Sequence, residues 1–127
     1  MAANEGQMAH KDLIVWQKSM ELANTVIDLI DQVNSPRSHY RLFEQMEAAV
    51  TSIPMNIAEG KGRSSQKEFA HFLYIARGSL YETLTLLEIF KMRHWIDQES
   101  FTSIETQSNE IAKMINGLIK SISQSSL

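Results

Sequence analysis

Cysteine is absent from the 127 residues, which excludes disulfides and cysteine-ligated zinc and agrees with a reducing cytoplasm. Proline occurs only twice and glycine five times, so few positions interrupt helix. No apolar run approaches the roughly 20 residues a membrane-spanning helix needs. Strand-like alternation is missing, as is any repeat of solenoid length. The opening stretch carries Asn4, Glu5, Gln7 and His10 without an apolar run, so neither a secretory signal nor a membrane anchor is expected there. These absences leave a single cytoplasmic domain over residues 1–127, with 1–11 and 123–127 expected to fray. A chain of this length can bury roughly two thirds of its unfolded surface.

Positive charge is scarce overall, the formal net charge being −3, but it is unevenly spread. Between Gly60 and Trp95, Lys61, Arg63, Lys67, Arg77, Lys91 and Arg93 face only Glu68, Glu82 and Glu88. That segment is net +3 and the remainder −6. A uniformly basic nucleic-acid binder is excluded, whereas one basic face on an acidic body is not.

What the chain does have is helical periodicity. From Asp12, a candidate cap, Leu13, Trp16, Met20, Ala23, Ile27 and Ile30 recur at spacings of three and four, predicting a first helix to about Val33. A second stripe, Val15, Leu22, Val26, Leu29 and Val33, makes the apolar arc wider than one bundle seam needs. Val15, Leu22, Val26 and Leu29 are therefore the expected subunit-interface residues. Asn34 to Ser38 reads as a loop around Pro36. Helix resumes near His39 or Tyr40 with Leu42, Met46, Ala49, Ile53 and Ile57 inward. Pro54 is expected to kink or break it before its end at about Glu59.

Gly60 and Gly62 suit left-handed backbone that ends a helix, and Ser65-x-x-Glu68 matches a capping box for the next. The third helix carries Phe69, Phe72, Ala76, Leu80, Thr83, Leu87 and Phe90 inward and runs from Gln66 to Arg93. Asp97 is placed to cap a fourth, whose seam is Phe101, Ile104, Ser108, Ile111, Ile115, Leu118 and Ile122. Short connections join neighbours, so the fold class is all-α, an up-down-up-down antiparallel four-helix bundle.

Chemistry is thinly represented. Glu68-x-x-His71 has the spacing of one half of a carboxylate-bridged di-metal site, but no other histidine has a glutamate three residues before it. A capping glutamate and a surface histidine explain the pair better, so no metal is expected. Gly60-x-Gly62 lacks both a preceding strand and a following Lys-Ser/Thr, so nucleotide binding is not expected. No cofactor is implied, and the aromatics fall mostly at helical spacing, where packing explains them. The corner residues Lys61, Arg63 and Lys67 are the expected contacts to a nucleic-acid backbone. Arg77, Lys91 and Arg93 would join them if all share a face.

Three blocks in order are familiar: Asp12 to Leu22 (DLIVWQKSMEL), Ser52 to Arg63 (SIPMNIAEGKGR) and Glu68 to Leu80 (EFAHFLYIARGSL). Together they resemble the bacterial four-helix bundle family named after 23S rRNA intervening sequences, over nearly the whole chain. More distantly, the chain is similar to the accessory variability determinant of diversity-generating retroelements. What the resemblance implies is a bundle assembling as a ring-like homopentamer with no enzymatic activity. The retroelement relative further implies RNA or DNA as a partner. The expectation is thus a non-enzymatic homo-oligomeric binding or scaffold module for nucleic acid or a nucleoprotein. The alternative is a protein-protein assembly factor with a protein partner and no nucleic-acid contact.

Overall fold

The computed structural model describes residues 9–33 and 39–125. A short 3-10 helix, Ala9–Asp12, leads into α1 (Ile14–Gln32), α2 (Tyr40–Lys61), α3 (Gln66–Met92) and α4 (Gln98–Ser125). Residues 9–11 and 123–125, expected to fray, are thus helical, while the loop expected around Pro36 lies outside the described residues.

Each helix packs on its sequence neighbours and α1 also meets α4, whereas among the described residues α1 and α3, and α2 and α4, stand diagonally across the bundle. Directions follow from paired residues. Phe43 lies against Phe90, Ser52 bonds Ser79 and Gly60 abuts Phe72, so α2 and α3 are antiparallel. Arg77 with Asn116 and Lys91 over Phe101 set α3 against α4 in the same sense. Lys18 with Glu110, and a shared groove joining Leu29 to Ser100, do so for α1 and α4. These pairings match the up-down-up-down order that the short connections imply.

The inward line of α1 corrects the sequence reading. Val15, Leu22 and Val26, expected to face another subunit, are 2%, 0% and 0% exposed inside the single chain. Leu29 is half-buried and packs against the same core, while Met20 of the supposed inward stripe is 46% exposed. Ser19 disguised the seam: it continues the line between Val15 and Leu22 and is fully buried. Its hydroxyl donates to the Val15 carbonyl at 2.7 Å, so the polar group enters the core already satisfied.

Helix α2 is continuous through Pro54, so of the kink or break expected there the break does not occur. Pro54 itself is buried between Ile53 and Ile57, which are both fully buried, and apolar packing of this turn offsets the missing N–H. The α2 helix ends at Lys61, and Gly62 follows with φ −79°, not in the left-handed region. Gly60 is required for space instead: a Cβ there would lie 2.7 Å from Phe72 Cβ and 3.2 Å from the Phe69 carbonyl oxygen. The crossing of α2 and α3 is tight at that corner because Gly60 has no side chain.

Two of the three expected caps form. The Ser65 hydroxyl accepts from the Glu68 N–H at 3.1 Å and Asp97 Oδ1 from the Ser100 N–H at 2.7 Å. At the start of α1 the residue before the helix is Leu13, and Asp12 makes no cap. The core of α3 is the expected seam with Leu73 in place of Phe72 and Leu86 added, and that of α4 has Ile119 in place of Leu118.

Candidate binding surfaces

The corner between α2 and α3 gathers Lys61, Arg63 and Lys67 at one end of the bundle, beside the start of α3. Arg63 is committed within the chain. Its Nη2 lies 2.6 Å from Glu59 Oε2, and its guanidinium sits 4.9 Å from the Phe72 ring centre. Lys61 Nζ stands 5.5 Å above the Phe69 ring. Lys67 is exposed and, among the described residues, makes no ion pair or ring contact.

The other three basic side chains do not join this corner. Arg77 donates to Asn116 Oδ1 at 2.9 Å across to α4 and lies 4.8 Å from the Tyr74 ring. Lys91 sits 4.2 Å over Phe101 and Arg93 5.9 Å from Trp95, both at the far end of α3. Along α3 that is roughly 40 Å away at 1.5 Å per residue. Five of the six therefore share a local role, each laying its cationic head on an aromatic face, an arrangement worth about 0.5–1 kcal/mol at an exposed site.

Glu68 and His71 are both exposed, and the His71 ring packs edge-on to Phe72 at 5.4 Å. No group of three or more histidine, aspartate or glutamate side chains that could hold a metal occurs among the described residues. No helix among them is long and apolar enough to cross a membrane.

The larger signal is apolar. Ile14, Met20, Met55, Tyr74, Tyr81 and Met92 are all exposed, although the sequence reading placed its surplus apolar surface at Val15, Leu22 and Val26. Around Met55, an open groove of about 640 Å³ is lined mostly by polar side chains, Thr51, Ser52, Asn56, Glu59 and Arg63, together with Ala48 and Phe72. A second, of about 450 Å³, runs between α1 and α4 past Leu13, Ile14, Met114, Gly117 and Leu118. The sequence carried a signal for one surface: Tyr74 and Tyr81 are seven residues apart and so lie on one face of α3. Met55 also falls between the inward positions Ile53 and Ile57, out of phase with the seam.

Fold and surface together define a small antiparallel four-helix bundle with open grooves on its outer faces. A family model described as 23S rRNA-intervening sequence protein matches residues 11–117, and the chain belongs to that family. No curated protein matches it significantly. Among solved structures, the chain is similar to a protein of unknown function from the S23 ribosomal protein family of Bacteroides thetaiotaomicron. The two are 29% identical, with a TM-score of 0.76 over 84% of this chain and 99% of that one.

Proposed function

We propose that this protein is a non-enzymatic, self-associating helical scaffold that acts by binding. The observation carrying this reading is the set of large apolar side chains on the outside of a bundle whose core is already closed, above all Met55 at 67% and Ile14 at 58% exposure. Covering such side chains in an interface removes apolar area from water, a favourable term in association. A homo-oligomer, a pentamer by family resemblance, would cover it. Light scattering coupled to size-exclusion chromatography tests this: an assembly of defined stoichiometry is expected. A 14.5 kDa species at every concentration would end the reading.

Contact with RNA or DNA is a second reading, supported by the clustering of Lys61, Arg63 and Lys67 at one bundle end, with Lys67 unpaired among the described residues. Replacing all three by Ala should weaken binding to single- and double-stranded oligonucleotides and flatten its salt dependence. Absence of binding by the native protein at low salt would instead leave a protein-only assembly factor.

A further inference from the structure

The basic corner continues along the outer face shared by α3 and α4. Lys67, Tyr74 and Tyr81 recur every seven residues, so they form one line along α3, and all three are exposed. Lys113 and Lys120 form a matching line on α4, again exposed and seven residues apart. The hydrogen bond from Arg77 to Asn116 at 2.9 Å fixes the antiparallel register of the two helices. Counting outward from that pair puts Lys120 level with Tyr74 and Lys113 level with Tyr81, each to within about one residue's rise of 1.5 Å.

Little negative charge reaches this strip. Helix α4 carries no carboxylate from Ile111 to Ser125, and Glu68 is the only one on α3 between Lys67 and Tyr81. Glu68 lies about 100° round the helix from Lys67, one turn before Phe72 and on the side that packs against Gly60 of α2. None of Lys67, Lys113 and Lys120 has an ion-pair partner among the described residues. At the corner itself, by contrast, Arg63 is already neutralised by Glu59.

The strip also offers flat apolar surface. Tyr74 and Tyr81 are 50% and 49% exposed, and their positions stand roughly 10 Å apart along the helix. The Arg77 guanidinium lies 4.8 Å from the Tyr74 ring and steadies it. Gly78, between the two tyrosines, has nothing within 4 Å of the place a Cβ would take, so the backbone between the rings is bare. Exposed rings among unpaired cations suit a single-stranded nucleic acid, since each base has a face that stacks and each phosphate a charge that a lysine meets. In a duplex those base faces are hidden within the stack.

We propose that the α3–α4 face binds single-stranded nucleic acid, with bases stacked on Tyr74 and Tyr81 and phosphates held by Lys67, Lys113 and Lys120. This rests on the nucleic-acid reading and moves its centre from the α2–α3 corner to a strip that shares only Lys67 with it.

Fluorescence anisotropy with labelled oligo(U) and oligo(dT), and with a duplex of equal length, tests the proposal on the full chain. A single strand is expected to bind more tightly than the duplex, and the tighter of the two single strands assigns the sugar. Tyr74→Ala and Tyr81→Ala should each weaken that binding at least about fivefold without changing its salt dependence. Tyr74→Phe and Tyr81→Phe, which keep the ring, should bind like the native protein. Lys113→Ala combined with Lys120→Ala should instead lower the slope of log affinity against log salt by about 1.4. Tyr40→Ala combined with Arg41→Ala removes an exposed tyrosine and an exposed cation at the far end of α2, and should change neither quantity. All these side chains are exposed, and circular dichroism checks that the variants fold. Native binding that survives the tyrosine and α4 lysine changes overturns the strip and leaves the corner as the contact. A preference for the duplex overturns it as well. No binding to any probe at low salt removes this proposal and the nucleic-acid reading together.

Discussion

Gly60 on α2 faces Phe72 on α3 so closely that a Cβ on the glycine would stand 2.7 Å from that of the phenylalanine. The phenylalanine Cβ cannot swing away, since it is fixed to the α3 backbone. Gly60→Ala must therefore push the two helices apart at their shared corner. Overpacking of this kind costs about 1–3 kcal/mol, against a helix-propensity gain of about 1 kcal/mol. A net loss of up to about 2 kcal/mol is expected by urea denaturation. Gly78→Ala is the control: it also lies inside a helix, but its Cβ would meet nothing within 4 Å, so only the gain should remain.

How Asp97 holds the start of α4 gives a pH dependence with a definite sign. The Ser100 N–H, and secondarily the Ser100 hydroxyl, hold its carboxyl below the usual aspartate range, more than the slight opposing effect of burial raises it. A depressed carboxyl in the folded state contributes stability that is present above the unfolded value, about 3.9. That contribution is lost as pH falls through the folded value. Asp97→Asn keeps a side-chain acceptor without the charge. Between pH 5 and 2, the native protein should lose more of its thermal stability than this variant does; parallel curves would mean the charge contributes nothing.

Legibility in the sequence followed the physics of each feature. The capping residues Ser65 and Asp97 were readable because a cap is local, needing one side chain and the N–H three residues on. The rotation of α1 was not, because Val15, Ser19, Leu22 and Val26 form the inward line only once α2 and α4 press on it. A serine in that line looks polar until its hydroxyl is seen on its own backbone. The corner glycines were read for backbone freedom, whereas Gly60 is needed for space, which depends on a helix that has not yet been placed. The six basic residues were close in sequence composition yet separated by the length of α3, so the expected common face does not form. Their aromatic seats, Phe69, Phe72, Tyr74, Trp95 and Phe101, lie two to ten residues away, a relation that only packing reveals.

His94, at the end of α3, has the left-handed backbone that the sequence reading expected at Gly60 and Gly62. Its φ is 62°, and no described glycine has a positive φ. The Trp95 N–H reaches back to the Phe90 carbonyl at 3.0 Å, and the two rings pack at 5.3 Å, so α3 ends in a Schellman turn closed by an aromatic contact. A side chain in this region costs roughly 1–2 kcal/mol, which glycine avoids at some entropic expense in the unfolded chain. His94→Gly should therefore raise stability by about 0.5–1 kcal/mol. A loss would show that the imidazole makes a contribution larger than its backbone strain.

Ser108 and Ser19 are both fully buried, but only one of them is satisfied. The Ser19 hydroxyl donates to the Val15 carbonyl, whereas Ser108 Oγ has no hydrogen-bond partner among the described residues. A buried hydroxyl without a partner costs about 1–3 kcal/mol, and removing it leaves a void of only one oxygen atom. Ser108→Ala is accordingly expected to stabilise the bundle by about 1 kcal/mol. Ser19→Ala, which surrenders a made bond, should be neutral or destabilising by a similar amount. Urea midpoints of the two variants at equal slope test the contrast directly. If Ser108→Ala unfolds earlier than the native protein, the hydroxyl is engaged in solution, and the line through Phe101, Ile104, Ser108 and Ile111 is not the dry seam that its burial indicates.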